Sequence, residues 1–250
     1  MSDLTPKRIQ APLVWDDVIL DLQDLLRAHE PPVYLVGGAV RDAYLRRPMK
    51  DVDLVTGGSG LALGRTIANR LGGAFYPLDS ERDVGRAILD TPDGRLVLDA
   101  ARFRGGDLRS DLVDRDFTIN ALAVEMAGDL DVVLDVVGGV DDLANKILRR
   151  CSPQSLANDP VRALRAVRQS VQFGFRIEAA TLADVRGVGA RLLDVSIERV
   201  RDEYFKLLAL PRAALALRVL ASIGLLHVLL PELDSLPPEQ WQQMLAAVER

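Results

Sequence analysis

Val33-Tyr34-Leu35-Val36-Gly37-Gly38-Ala39-Val40-Arg41-Asp42, followed nine residues on by Asp51-Val52-Asp53-Leu54-Val55-Thr56, is the stretch on which the fold turns. Val33 to Val36 is a short apolar run stopped by two glycines, and Val40 to Leu45 resumes with helix formers, so the order is strand, glycine turn, helix. The next strand runs from Val52 to Thr56. Alternate residues of a strand face one side, so the carboxylates of Asp51 and Asp53 point the same way, about 6 to 7 Å apart at their bases, while Val52 turns to the core. Such a pair suits one or two Mg²⁺ ions, which favour oxygen ligands, and it equally suits a solvated strand end. The turn at Gly37 and Gly38 lets backbone N–H groups approach an anion at a helix N-terminus, with Arg41 placed to add a charged contact; a tight turn without ligand has the same signature. Their order puts an anion cradle beside a metal site, which a nucleoside triphosphate with Mg²⁺ would satisfy.

Outward from this stretch, apolar spacing over Val14 to Ala28 predicts a helix ended by Pro31-Pro32, and Leu61 to Leu71 a second helix closed by Gly72-Gly73. Strands are expected at Ala74 to Leu78, Val84 to Leu89 and Leu96 to Ala100, the last two joined by a turn at Pro92-Asp93-Gly94. A helix is expected from Asp116 to about Ala121, then a hairpin of Leu122 to Met126 and Val132 to Val136 around Gly128-Asp129. After Cys151-Ser152-Pro153 the signals are helical: Pro160 to Phe173, Ala179 to Val188, Ser196 to Leu208, Pro211 to Ile223 and Pro238 to Arg250. The change marks a boundary near residue 150.

The 250 residues carry 31 Lys and Arg against 36 Asp and Glu, a net charge of -5 that excludes coating nucleic acid by bulk charge. Only residues 159–206 are net positive, so any RNA contact is local. One cysteine, Cys151, cannot make an internal disulfide, and two histidines cannot build a histidine-rich metal site. No apolar run approaches a membrane span and the N-terminal residues lack a signal-peptide core, so a cytoplasmic setting without membrane contact is expected.

Three further constellations carry chemistry. Asp99 interrupts the apolar run Leu96 to Ala100. It reads as a paired structural acid, as a third metal ligand, or as a base for an attacking hydroxyl. Arg115, Asp116 and Asn120 cluster at one end of an apolar element, where they can bind phosphate and a ribose hydroxyl, or where Asp116 can cap the helix. Asp159, Arg162, Arg165 and Arg168 recur every three residues, which on one helix gives either a solvated face or a device for reading a base. An Asp accepts an exocyclic N–H while an Arg donates to the neighbouring ring acceptor, admitting cytosine and adenine and rejecting uracil and guanine.

Together these residues resemble the class II tRNA nucleotidyltransferase and poly(A) polymerase family of the DNA polymerase beta-like superfamily. Gly37 to Asp42 with Asp51-Val52-Asp53 is similar to the family's first motif, and Arg115 to Ala121 with Ala123-Val124 to its most specific one. Asp135 to Gly139 with Asp142-Leu143 resembles a third, Asp159 to Arg165 the base-selecting fourth, and Glu198 to Arg201 the fifth. The resemblance implies an α+β protein: a catalytic head over residues 1–150 with a mixed sheet and flanking helices, an all-α neck over 151–208 for base recognition and RNA binding, and the start of a helical body over 209–250. It implies Mg²⁺ on Asp51 and Asp53, nucleotide contacts from Gly38, Arg41 and Arg115, base selection by Asp159 and Arg162, and further contacts from Arg165 and Arg168. The implied reaction is attack of an RNA 3′-hydroxyl, most naturally that of tRNA, on CTP or ATP. Poly(A) addition and a non-catalytic RNA-binding relic are the alternatives. Asn158, Asp114 and Asp99 stand where the family usually has Glu, Arg and Glu. Family members continue well beyond residue 250, so the chain is expected to be part of a longer protein.

Overall fold

Period-two alternation and glycine punctuation organise the first half of the chain into strands. The computed structural model describes residues 4, 6–9, 12–49, 51–92 and 94–249. Two compact units result, Met1–Leu143 and Ala144–Arg250. Among the described residues of the first, eight strands form one sheet: β1 (Pro6–Arg8), β2 (Val33–Val36), β3 (Asp51–Thr56), β4 (Ala74–Asp79), β5 (Val84–Thr91), β6 (Gly94–Arg102), β7 (Leu122–Glu125) and β8 (Val132–Asp135). Their spatial order is β1-β8-β7-β2-β3-β6-β5-β4. Only β3 and β6 pair in parallel; the remaining neighbours are antiparallel, giving the expected mixed sheet. The turn residue Asp93 lies outside the described residues, but Thr91 and Gly94 pair on either side of it.

Helices Asp17–Leu26 and Gly60–Leu71 bury Ile19, Leu22 and Leu26, and Leu63, Ile67 and Ala68. These apolar stripes join Leu35, Leu54 and Leu98, all fully buried, in the core of the unit. The register across the sheet sets the chemistry: Asp53 on β3 stands beside Asp99 on β6, and Asp99 beside Arg86 on β5.

One expectation is corrected in this unit. The helix expected from Asp116 is only a tight turn at Thr118–Asn120, and a helix instead occupies Leu108–Val113. Asp107 starts that helix by accepting the Ser110 N–H at 2.7 Å. Beyond it, local side-chain bonds hold the backbone out of a helix: Asp116 Oδ1 accepts the Phe117 N–H at 2.8 Å and Thr118 Oγ1 donates to Asp142 at 2.7 Å. The stretch after β8 has a structural explanation of the same kind. Asp135 accepts N–H groups from Val137, Gly138, Gly139 and Val140, capping the helix Gly139–Ala144.

The second unit is helical. Its longer helices are Arg162–Phe173, Ala179–Gly187, Ile197–Leu208, Ala213–Ser222 and Pro238–Val248. Arg250, placed by the sequence at the end of the last helix, lies outside the described residues. Leu164, Val167, Val200, Leu207, Leu217 and Leu220 are buried in this unit. A short parallel pair also falls here, Ile147–Leu148 just ahead of residue 150 and Arg176–Ile177 within the segment expected to be all-α. No helix among the described residues is long and apolar enough to cross a membrane.

Candidate active site

Gly37 sits between β2 and the helix Gly38–Tyr44 with φ of 76° and ψ of -131°, a backbone region that an L side chain occupies only under strain. Its N–H donates to the Leu122 carbonyl at 3.1 Å, tying the turn to β7. A Cβ placed there would lie 2.8 Å from Arg115 Nη1 and 3.3 Å from Asp53 Oδ2. The glycine therefore lets a guanidinium and a carboxylate close over the turn. Gly37→Ala is expected to cost about 1–3 kcal/mol in stability and to weaken nucleotide binding by displacing Arg115; a melting curve with a KM measurement for the nucleotide checks both effects.

The arginines are held by acids. Arg41 donates Nε and Nη2 to the two oxygens of Asp42 at 3.0 and 2.9 Å, and Nη1 to Asn120 Oδ1. Asn120 Nδ2 in turn donates to Asp116 Oδ1 at 2.9 Å. Asp116 and Asn120, expected as nucleotide contacts, are both buried, and Asn120 joins Asp116 to Arg41. Arg115 donates Nε and Nη2 to Asp111 Oδ2 at 3.1 and 2.9 Å, and Asp111 is 1% exposed. Asp114 lies 3.7 Å from Arg104.

Asp51 is exposed and Asp53 half-buried on the same face of β3. Burial pushes the Asp53 carboxyl above its ordinary value; Arg115 opposes this, and the charges of Asp99 and Asp51 add to it. Among the described residues neither carboxylate has a hydrogen-bond or ion-pair partner. Two oxygen donors carrying excess negative charge fit a hard divalent cation such as Mg²⁺. Among the described residues no group of three or more His, Cys, Asp or Glu is arranged to hold a metal. Asp99 is engaged elsewhere: Arg86 Nε and Nη2 each donate to one of its oxygens at 2.7 Å.

In the helical unit, Asp159 is not on the helix with the arginines but in the extended turn before it, with φ of -147°. Proline at 160 disfavours helix at the preceding residue. Its Oδ2 accepts from Arg199 Nη2 at 2.7 Å and lies 3.9 Å from Arg162 Nε, while Oδ1 is buried with no hydrogen-bond partner. Arg162 Nη1 donates to the Ser155 carbonyl at 3.1 Å. Arg165 is half-buried. Arg168, expected at a nucleotide, turns inward: Nε donates to the buried Glu203 and Nη1 to Gln172 at 3.1 Å.

The sequence assigned no role to Asp111 or Arg86, and it marked Asp42 and Arg199 only as members of the first and fifth motifs. Asp111 and Arg115 stand four residues apart, a signal that becomes legible once Leu108–Val113 is read as helix. Arg86 and Arg199 lie 13 and 40 residues from their partners, so no local spacing marks either pairing.

Acids on one strand, flanked across a glycine turn by acid-braced arginines, are the plan of a nucleotidyltransferase head. A model described as the poly A polymerase head domain matches residues 33–149, and one described as the probable RNA and SrmB-binding site of polymerase A matches 174–236. The chain belongs to the tRNA nucleotidyltransferase and poly(A) polymerase family. It is 46% identical over 180 residues to a CC-adding tRNA nucleotidyltransferase of Geobacter sulfurreducens, covering 72% of this chain and 41% of the relative. It is 39% identical over 209 residues to an A-adding tRNA nucleotidyltransferase of Deinococcus radiodurans, covering 81% and 46%. The structure of the Thermotoga maritima CCA-adding enzyme complexed with tRNA-CCA superposes with a TM-score of 0.80 at 32% identity, over 92% of this chain and 56% of that one. The chain spans about half the length of the curated relatives it matches.

Proposed function

We propose that the protein adds C, A or both to the 3′ end of tRNA from CTP or ATP. The observation that carries this reading is the Asp51 and Asp53 pair beside the Gly37 turn, faced by Arg115, in a chain 46% identical to a CC-adding enzyme. The RNA 3′-hydroxyl oxygen bonds to the α-phosphorus, and the bond from that phosphorus to the bridging oxygen breaks. Pyrophosphate leaves and the hydroxyl proton passes to solvent. Asp51 and Asp53 would hold Mg²⁺, whose chemistry there is to neutralise phosphate charge and to polarise the reacting oxygens. The chain's own work is positioning: Gly37 and Gly38 admit the triphosphate closely, while Arg41 and Arg115, braced by Asp42 and Asp111, present fixed positive charge to it.

In the helical unit Asp159 and Arg162 would read the base edge, with Arg165 as a further contact. Arg168 would instead brace the helices Arg162–Phe173 and Ile197–Leu208 through Glu203. Residues 1–150 act as catalytic head, 151–208 as the base-reading and RNA-binding neck, and 209–250 as the start of a body; a reducing, cytoplasmic setting fits the single cysteine. The test supplies labelled CTP or ATP with tRNA lacking CCA, tRNA ending in CC, and a generic RNA. Mg²⁺-dependent addition of one to three nucleotides confined to tRNA is expected. Long A tails on generic RNA would replace this reading with poly(A) polymerase, and no incorporation would refute it.

A further inference from the structure

Tyr76 is 41% exposed on β4, the last strand of the sheet among the described residues, and has no part in the chemistry above. Its neighbour Phe75 turns to the helix side. The Arg65 guanidinium, on the helix Gly60–Leu71, lies 4.9 Å over the Phe75 ring, and a Cβ on Gly85 would meet that ring at 2.8 Å. Alternation therefore sends Tyr76 to the opposite, open face. Tyr76 pairs with Arg86, Arg86 with Asp99 and Asp99 with Asp53, so the phenol stands in one row with an acid of the proposed metal pair. Three strand spacings separate the two ends of that row, about 14 Å.

The two sides of Asp53 are not equivalent. Gly37, which follows β2, and Arg115, which closes over it, lie to one side, whereas β6, β5 and β4 extend to the other. Attacking and leaving oxygens stand roughly in line about the phosphorus, so an RNA end that attacks a triphosphate seated at the Gly37 turn arrives from the β6 side. Its last bases then pass over the row that ends at Tyr76. A growing end presents a new base after each addition, and a pocket of hydrogen bonds matched to one base would lose its partner. An aromatic ring serves them all, because every base has a π-face. The hairpin that carries the ring is also fixed in place. Asp79 Oδ1 accepts the Glu81 and Arg82 N–H groups at 3.1 and 3.0 Å, and Asp83 Oδ1 accepts the Ser59 hydroxyl at 2.8 Å and the Leu61 N–H at 3.0 Å, pinning the turn to the helix Gly60–Leu71. A surface held in advance loses little freedom on binding. Resting on the nucleotidyltransferase reading above, we propose that Tyr76 is the platform on which one of the last two bases of the RNA stacks, setting the 3′-hydroxyl against Asp51 and Asp53.

The test uses the full chain and tRNA lacking CCA, either intact or with an abasic sugar at its last or its penultimate position. Affinity is read by fluorescence anisotropy of the labelled RNA, and kcat/KM by incorporation. Tyr76→Ala and Tyr76→Leu are each expected to weaken RNA binding by about 5- to 100-fold, to lower kcat/KM for the RNA in step, and to leave the nucleotide KM unchanged. Tyr76→Phe and Tyr76→Trp should stay within about threefold of the unsubstituted protein, since the ring face and not the hydroxyl holds the base. The base itself completes a cycle. With the abasic sugar at the stacked position the unsubstituted protein should bind as weakly as Tyr76→Ala, and Tyr76→Ala should not distinguish that RNA from the intact one. Full affinity in Tyr76→Ala would overturn the proposal. A loss in Tyr76→Ala that persists undiminished on both abasic RNAs would make the ring a support for the hairpin and overturn it equally. Melting curves accompany each variant; should Tyr76→Ala fail to fold, Tyr76→Leu, which keeps bulk and removes the π-face, decides in its place. Lack of incorporation by the unsubstituted protein would sink the proposed function, while the binding cycle would still report whether the ring holds an RNA base.

Discussion

Asp53→Asn is expected to lower nucleotide incorporation by about a thousandfold or more, several kcal/mol of transition-state stabilisation, and at the same time to raise the melting temperature of the metal-free protein. The two effects have one cause. Burial and the charges of Asp99 and Asp51 hold the Asp53 carboxyl above its ordinary value, with Arg115 only partly compensating. The native state therefore keeps this proton to higher pH than the unfolded chain does. Stability falls as pH rises through the interval from the ordinary carboxylate value to the raised one, and above the raised value the whole cost is borne. Asparagine removes the charge, so the variant should melt higher at neutral pH, by about 2–4 °C for each kcal/mol recovered. The gain should vanish as pH falls below the ordinary carboxylate value, where both chains are neutral at this position. Calorimetric melts in chelator across that range, beside an incorporation assay, check it. Retained incorporation would remove Asp53 from the chemistry, and a lower melting temperature at neutral pH would show that its carboxylate is stabilising.

The opposition between stability and activity at Asp53 explains why the head was legible in the sequence. Acids on a strand whose other residues are apolar violate the local pattern, and such violations concentrate where function requires them. The Gly37 turn was legible for a related reason, since only glycine serves a positive φ at a point of close approach. Strands β2 to β6 follow from alternation and turn chemistry. The region around Arg115 did not, because Asp116 and Asn120 stand four residues apart, as on one face of a helix, while the Asp116 and Thr118 side chains bind the chain into a tight turn. The bracing partners were invisible for another reason: Arg86 meets Asp99 through sheet register, and Arg199 meets Asp159 through packing of distant helices.

Asp159→Ala is expected to reduce discrimination for C and A over U and G by about 10- to 100-fold in kcat/KM, equivalent to about 1–3 kcal/mol. Asp159 Oδ1 is buried without a hydrogen-bond partner, and an unsatisfied buried acceptor costs free energy until a donor arrives. An exocyclic amino group supplies that donor; the carbonyl of uracil or guanine at the same place does not, and sets oxygen against oxygen. On the proposed base-reading role, Arg199, by gripping Oδ2 at 2.7 Å, would leave Oδ1 as the reading atom. Arg199→Ala should therefore shift selectivity in the same direction by a smaller factor, since Arg162 Nε remains 3.9 Å from Oδ2. Incorporation of each of the four nucleotides under single-turnover conditions measures both variants. Equal loss with all four would make Asp159 a support for the helical unit and not a reader of the base, whereas selective gain of U and G identifies Oδ1 as the atom that chooses.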